Sequence, residues 1–351
     1  GRGSVLVGLR GRGRELTSLR LEPDLRDFRA AGSPRAFSRV AGELRLQRDD
    51  TTVSLEAERL ELSRPGAPWR PTDLAARLTR KDGRIASVSA RAGYLRIENL
   101  AVLADLLPPG ALRERILALA PRGEVFDLDV EVSDAGAGKL PDIRGRLRFA
   151  DVGLAPYGKA AGFAGFDGSL DGRGGGGIVQ VATRDASIDW PQQWRATAPV
   201  VRADARLEWQ RFGYGVRLWL DDAVADSGHG IARGKLRLLL RPDDAPLMDV
   251  SATAEDFDVT QLWRYLQVNR LSPKAVRWLD AAFRAGRVTK AEVSITGPTK
   301  GFPYREGQGV FRVSGHATGI DLFYAAGWPE LKCVESDVQF DGPALHASAS
   351  R

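Results

Sequence analysis

Apolar and polar residues alternate along most of this chain with a period of two. Phe126, Leu128, Val130 and Val132 point one way, and Asp127, Asp129 and Glu131 point the other. Ile143, Gly145, Leu147 and Phe149 are expected to share a face, opposed by Arg144, Arg146 and Arg148. Val53, Leu55 and Ala57 alternate with Ser54, Glu56 and Glu58; Ala205, Leu207 and Trp209 alternate with Arg206, Glu208 and Gln210. Tyr214, Val216, Leu218 and Leu220 form another run, as do Leu236, Leu238 and Leu240. Near the end, Val334, Val338 and Phe340 oppose Glu335, Asp337 and Gln339. This period is that of a half-buried β-strand. Between the runs lie Arg48-Asp49-Asp50, Lys81-Asp82-Gly83, Arg211-Phe212-Gly213, Asp226-Ser227-Gly228 and Pro242-Asp243-Asp244. Gly and Asp there supply the positive φ and local side-chain bonds of tight hairpins. Strands joined by short turns predict an antiparallel meander with one apolar and one solvated face. The strands at 126–132 and 143–149 are predicted to pair, with acids opposite arginines on the wet face.

Helical spacing interrupts this pattern twice. Leu100–Leu107 and Ala111–Leu119 make one pair, broken by Pro108-Pro109-Gly110; Val259–Leu266 and Pro273–Ala285 make the other. Asp258 or Thr260 is placed to cap the first helix of the second pair. Ser272 caps the next, with Pro273 at its first position, and Gly286 is expected to end it. Ala275, Val276, Leu279, Ala282 and Phe283 form a stripe suited to packing on the sheet. The pairs belong to an internal repeat. Pro109 corresponds to Pro273, Ala111 to Ala275 and Gly123 to Gly286, and each copy runs on to Phe-Asp-Gly, at 166–168 and 340–342. A repeated unit predicts a modular architecture. The expected fold is mainly β: an elongated, twisted antiparallel sheet curled into an apolar groove, with short helical insertions at about 99–120 and 259–286. A soft boundary near 195–200 separates a first segment, 1–195, from a second, 196–351. The chain starts at Gly1 without Met and stops at Arg351 just after a strand-like run, so a fragment of a longer repeat protein is expected.

Composition narrows the chemistry. At 43% hydrophobic and 27% charged, the chain is rich enough in apolar residues to bury a sizeable core. Its net charge is +6, and with 8 Lys among 51 basic residues the rest, 43, are Arg. These are spread along strands without a basic block or an aromatic–basic RNA-binding motif, so no nucleic-acid partner is expected. A basic strand face suits anionic lipid head groups equally well. The lone Cys333 allows no internal disulfide and reads as a small strand residue. His229 reads as a turn residue, His316 and His346 as strand residues, and none has metal-ligand spacing. The run Asp171–Gly177 lacks the Gly-Lys-Ser/Thr ending of a phosphate loop and precedes a strand, so it reads as a hairpin loop. Gly-x-Ser-x-Gly is absent. The pairs Asp49-Asp50, Asp221-Asp222 and Asp243-Asp244 are read as turn formers at strand ends, and Trp190-Pro191 and Trp328-Pro329 as strand ends whose Trp closes the apolar interior. No catalytic residue, metal or cofactor is expected, and there is no run of 18 apolar residues.

The C-terminal third carries a resemblance. Tyr265-Leu266, Leu271-Ser-Pro273, Ala275–Phe283, Gly286-Arg-Val288, Gly301–Gly307, Gly309-Val-Phe311, Gly327-Trp-Pro329 and Phe340-Asp-Gly342 together resemble the YhdP family, the large AsmA-like envelope proteins of Gram-negative bacteria. The match is clearest over 255–350, and its motifs are structural. The resemblance implies a periplasmic segment of an inner-membrane-anchored protein reaching toward the outer membrane through parts outside this chain. It also implies a bridge-type carrier whose β-groove conducts phospholipid.

The residues point the same way by a separate route. A sheet apolar on one face needs another layer, a partner or lipid to cover it. The residues expected to line a lipid groove are Phe126, Leu128, Val130, Val132, Ile143, Leu147, Phe149, Leu207, Trp209, Val216, Leu218, Leu236 and Leu238. Two other readings remain open here: a structural or protein-interaction scaffold of the envelope without lipid, and a hydrolase, which would need a cleft with convergent carboxylates.

Overall fold

The computed structural model describes residues 1–12, 15–29, 36–106, 109–133, 142–242, 244–266, 272–342 and 344–350. Two compact units are present: Gly1–Ala155 with Phe166–Val179, and Pro156–Gly165 with Gln180–Arg351. The first contains β1 (Arg2–Arg12), β2 (Glu15–Arg29), β3 (Ala36–Arg48), β4 (Thr52–Ser63), β5 (Thr72–Lys81), β6 (Arg84–Arg96), β7 (Arg122–Ser133) and β8 (Asp142–Leu154). Strands β9 (Gly162–Arg173) and β10 (Gly176–Asp189) are shared between the units. The second contains β11 (Ala198–Phe212), β12 (Gly215–Asp226), β13 (Ile231–Leu240), β14 (Leu247–Asp258), β15 (Phe283–Pro298), β16 (Val310–Leu322), β17 (Leu331–Asp341) and β18 (Ala344–Ser350). Within each unit, strands adjacent in sequence pair antiparallel, β1 to β8 in the first and β11 to β18 in the second. The mainly β meander expected from the alternation is thus observed.

The turns form for the reasons their residues suggest. Asp49 accepts from the N–H of Thr51 (2.9 Å) and of Thr52 (2.7 Å), which holds its carboxyl below the usual range. Asp82-Gly83 and Gly174-Gly175 carry left-handed φ in their hairpins, and Gly228 N–H donates to Asp226 at 2.7 Å. Asp243 lies outside the described residues.

Both helical insertions are present. Between β6 and β7 come α1 (Ile97–Ala101), a 3-10 turn (Val102–Leu106) and α2 (Ala111–Leu119). Leu107 and Pro108, expected to end one helix and break the pair, lie outside the described residues, as does Leu271. Between β14 and β15 come a 3-10 turn (Val259–Arg264) and α3 (Pro273–Ala282). Asp258 caps the former through Thr260 N–H at 2.9 Å, and Ser272 caps α3 through Ala275 N–H at 3.2 Å. The α3 stripe faces inward: Ala282 is fully buried and Ala275, Val276, Leu279 and Phe283 are half-buried, whereas Lys274, Arg277 and Asp280 are exposed.

Three expectations need correction. Gly286 does not end α3, which stops at Ala282; it lies inside β15 with φ 122°, at a register shift. Its repeat partner Gly123 has φ 115° at a shift inside β7. The two are equivalent for a reason other than capping: each lies against a left-handed residue of the next strand, Asp151 (φ 50°) or Gly319 (φ 62°). A Cβ on Gly123 would stand 2.7 Å from Val152 Cα, and one on Gly286 2.8 Å from Ile320 Cα. Second, Asp221-Asp222 is not at a strand end. It sits within β12, where Asp222 (φ 53°) forms a bulge. Third, the Phe-Asp-Gly triplets occupy corresponding strands at different levels: Phe166 lies within β9, whereas Phe340 lies at the end of β17, with Gly342 in the turn.

The first unit's core lies where α1 and its 3-10 turn cover the sheet. Phe37, Leu60, Leu62, Trp69, Tyr94, Leu95 and Val102 are buried together. Fully buried Asn99 donates to the carbonyls of Leu62 (2.8 Å) and Ala67 (2.9 Å), tying the β4–β5 connection to α1. Tyr94 donates to Glu124 at 2.6 Å; burial first, then this bond, pushes its phenol up to about 12.

Gly123→Ala and Gly286→Ala are each expected to lower the urea midpoint, through about 1–3 kcal/mol of strain. Gly110→Ala, at an extended position with no atom within 4 Å, leaves it nearly unchanged. Equal midpoints for all three variants would remove the close-approach explanation.

Candidate functional site: an apolar sheet face

Register determines what each face carries, because directly opposed residues of an antiparallel pair share a face. In the first unit, Leu9 pairs with Leu19, Leu19 with Leu46, Leu46 with Leu55, and Leu55 with Ala76. The same row continues through Ala90 and Val130 to Gly145. A second row runs Val7, Leu21, Leu44, Ala57, Leu74, Ala92, Leu128. A third runs Val53, Leu78, Val88, Val132, Ile143. The intervening row is polar: Arg20, Arg45, Glu56, Ala75, Arg91, Asp129, Arg146.

The second unit repeats the design with other residues. Trp209 pairs with Leu218, Leu218 with Leu238, Leu238 with Met248, and Met248 with Gly297. A parallel row runs Leu207, Leu220, Leu236, Val250, Ile295, Phe311. A mainly polar row again lies between them, Glu208–Trp219–Arg237–Asp249–Thr296, with Trp219 its apolar member.

These rows are unevenly covered: in the second row Ala57 and Ala92 are buried in the core beneath α1 with Leu44, Leu74 and Leu128 packed against it, Val7, Leu9 and Val88 are exposed, and most other members are half-buried. Of the residues expected to line a groove, Val216 alone is buried, at 7% exposure; Phe126, Leu128, Val130, Val132, Ile143, Leu147, Phe149, Leu207, Trp209, Leu218, Leu236 and Leu238 are all intermediate. Register brings Leu207, Trp209, Leu218, Leu236 and Leu238 onto one face, and Val130, Val132 and Ile143 onto one face. At the Asp127 bulge the phase shifts: Arg148 pairs with Phe126, and Phe149 pairs with Val125. Sequence periodicity does not reveal such a shift, because the extra residue interrupts the count without altering composition.

The opposite face is held by exposed ion pairs. As expected for β7 and β8, Asp129 pairs with Arg146 and Glu131 with Arg144 in register, and Arg148 bonds Asp127 at 2.6 Å. Arg237 meets Asp221 at 2.7 Å, and Arg287 meets Asp256. Such exposed pairs add little stability singly but penalise misregister. His316 lies in β16 between Asp337 (2.8 Å) and Glu335 (3.2 Å), and the Asp337 bond foremost holds it above its ordinary pKa. Among the described residues no group of three or more His, Cys, Asp or Glu side chains is arranged to hold a metal. The pockets on this polar face are shallow and lined by strand residues, as at Lys290, Glu292, His316 and His346.

A feature that sequence reasoning missed is an aromatic rim on one edge of the second unit. The β10–β11 and β14–β15 connections bring Trp190, Trp194 and Tyr265 into edge-on contact at 5.7–5.9 Å. Trp278 of α3 joins Tyr324 and Trp328 of the β16–β17 connection in another cluster at 5.3–6.3 Å. Trp190 Nε1 donates to Lys159 carbonyl and Trp278 Nε1 to Tyr324 carbonyl. Trp328, expected to close the apolar interior, is instead 65% exposed, in the connection between β16 and β17. The signal available was the recurrence of Trp and Tyr in three connections that leave from the same edge.

Together these features describe a repeat-built β-sheet protein whose distinctive surface is an apolar face, without a metal-binding cluster among the described residues. The chain belongs to the YhdP family: the family model described as YhdP protein matches residues 1–351. Residues across 84% of the chain align, at 22% identity over 301 residues, with 23% of the intermembrane phospholipid transporter YhdP of Escherichia coli (strain K12). The chain therefore spans less than a quarter of that relative. No solved structure matches it.

Because a raised histidine pKa stabilises the protonated fold, His316 contributes stability below its ordinary pKa of 6.5 that is lost as pH rises through the folded value. NMR titration should give His316 a pKa above 6.5 that Asp337→Asn returns toward 6.5; an unchanged value in the variant would show that Asp337 is not the cause.

Proposed function

We propose that the chain is a non-enzymatic segment of a phospholipid conduit, its apolar face shielding acyl chains as lipid passes between the inner and outer membranes. The observation that carries this reading is the set of apolar rows that run across each unit and are left largely half-buried outside the core beneath α1. A scaffold function would favour sealing those rows against a second layer, since exposed apolar area costs roughly 25 cal/mol per Å². Membership of the family, and the transport function in the relative's name, support phospholipid as the cargo. The register supports the lining residues named above: Leu207 and Trp209 continue into Leu218, Leu236 and Leu238, and Leu128, Val130 and Val132 continue across β5, β6 and β7.

The physics requires no specific pocket. Removing a ~16-methylene acyl chain from water at ~0.8 kcal/mol per methylene gains on the order of 10 kcal/mol, spread along the face. A chain bound so diffusely can shift from row to row, which suits passage better than tight capture. Head groups stay in water beside the arginine-rich strand edges. The work takes place in the periplasm, with attachment to membrane supplied by the longer protein. Among the described residues no helix is long and apolar enough to cross a membrane.

Native mass spectrometry of the purified chain is expected to detect phospholipid adducts. Leu218→Asp and Val130→Asp place a carboxylate in a half-buried row outside the buried core cluster, and each should remove most bound lipid while leaving the circular-dichroism strand signal intact. A lipid-free wild type, or variants that unfold without any selective loss of lipid, would favour the scaffold.

A further inference from the structure

The β15–β16 connection differs from the other hairpin turns on its edge of the second unit. It is an eleven-residue loop, 299–309, where β11–β12 uses only Gly213 and Tyr214. Tyr304 pins it down. Its ring lies over two glycines that a Cβ would fill: Gly309 Cβ would stand 2.9 Å from Tyr304 Cδ1, and Gly297 Cβ 3.0 Å from Tyr304 Cζ. Backbone bonds from Tyr304 N–H to Gly301 (2.7 Å) and from Gly307 N–H to Tyr304 (3.0 Å) close the turn. Tyr304 itself is buried at 4% exposure, so the loop is ordered from beneath.

The pinned loop joins the apolar face at one point. Phe302 stacks edge-on against Phe311, 5.0 Å between centroids, and Phe311 ends the row that runs through Leu236, Val250 and Ile295. An open cavity of about 810 Å³ is lined by Phe302, Pro303, Phe311, Arg305, Glu306 and Gln308. Phe311 joins this lining to the apolar row at Ile295, and Arg305 and Glu306 supply one cation and one anion. Arg305 makes no ion pair among the described residues, while Glu306 is oriented by Gln308 Nε2 at 2.6 Å.

We propose that this loop is a head-group site for zwitterionic phospholipid at the rim of the apolar face, resting on the lipid-conduit reading above. The Arg305 guanidinium takes the phosphate through its paired N–H donors. The Glu306 carboxylate takes the ammonium of a phosphoethanolamine head. Phe302 and Phe311 receive the first methylenes and pass the chain to Ile295 and Val250. The adjacent opposite charges select a zwitterionic over a purely anionic head, since Glu306 repels the latter.

Calorimetric titration of the chain with didecanoyl phosphatidylethanolamine, didecanoyl phosphatidylglycerol, didecanoyl glycerol and chain-free phosphoethanolamine tests this. Arg305→Gln should weaken phosphatidylethanolamine binding about tenfold and leave didecanoyl glycerol unchanged. Glu306→Gln should abolish the preference for phosphatidylethanolamine over phosphatidylglycerol. Both side chains are exposed, so thermal unfolding should match the wild type. Unchanged phosphatidylethanolamine affinity in Arg305→Gln, with lipid still bound, overturns the head-group site alone. A wild type that binds none of the lipids overturns the conduit reading as well. Phosphoethanolamine binding as tightly as the lipid would assign the cavity to a soluble phosphate ester and overturn the lipid assignment.

Discussion

Everything in this protein depends on strand register. In an antiparallel sheet a slip of one residue carries a whole strand's apolar set to the other face. Here the apolar set recurs in strand after strand: Leu19, Leu46, Leu55, Ala76, Ala90 and Val130 form one row only because every ladder between them holds its offset. The ion pairs on the opposite face, such as Asp129 with Arg91, make the wrong offset costly. Short Asp- and Gly-containing turns limit the slack available at each hairpin. A surface that must stay apolar and uninterrupted is thereby produced from strands with little sequence in common.

Bulges are the exception that the register accommodates. Left-handed residues occur inside strands at Asp27, Arg59, Asp127, Asp151, Asp185, Asp222, Asp256 and Cys333. Bulges strengthen twist and bend the strand locally. Several of these positions are supported by an aspartate of the neighbouring strand: Arg59 N–H donates to Asp73 (2.9 Å), Asp151 N–H to Asp167 (2.8 Å) and Cys333 N–H to Asp321 (3.0 Å). These three aspartates are thus engaged with the backbone. Gly123 and Gly286 belong to the same device, leaving room for the displaced strand beside them.

Much of the fold was legible from alternation alone, because half-buried strands write their exposure into every second position. The β7–β8 pairing, the hairpin at Gly174-Gly175, α2 at Ala111–Leu119 and the Ser272–Pro273 start of α3 all follow from local chemistry. What local chemistry does not encode is where a bulge resets the phase. Gly286 carries the signature of a helix terminus, yet its role is set by Ile320 and Gly319 on another strand. The Phe126–Arg148 pairing follows from Asp127 adopting a conformation uncommon for a non-glycine residue. The aromatic rim is illegible for a related reason. Trp190 and Tyr265 lie far apart in sequence, as do Trp278 and Tyr324, and each set meets only because alternate connections leave from the same edge. The candidate lining was readable as a list of residues, while its continuity across strands required the ladders.

The proposed lipid carriage needs breadth more than affinity. Half-buried rows give a chain many equivalent places to lie, and the polar face keeps the opposite side in water. Photocrosslinking distinguishes the faces within one strand. A photoreactive side chain at Leu218, in cells making radiolabelled phospholipid, is predicted to capture lipid, and one at the adjacent Arg217, on the exposed face, is not. Equal labelling at both positions, or labelling at Arg217 alone, would contradict a conduit built on the apolar rows.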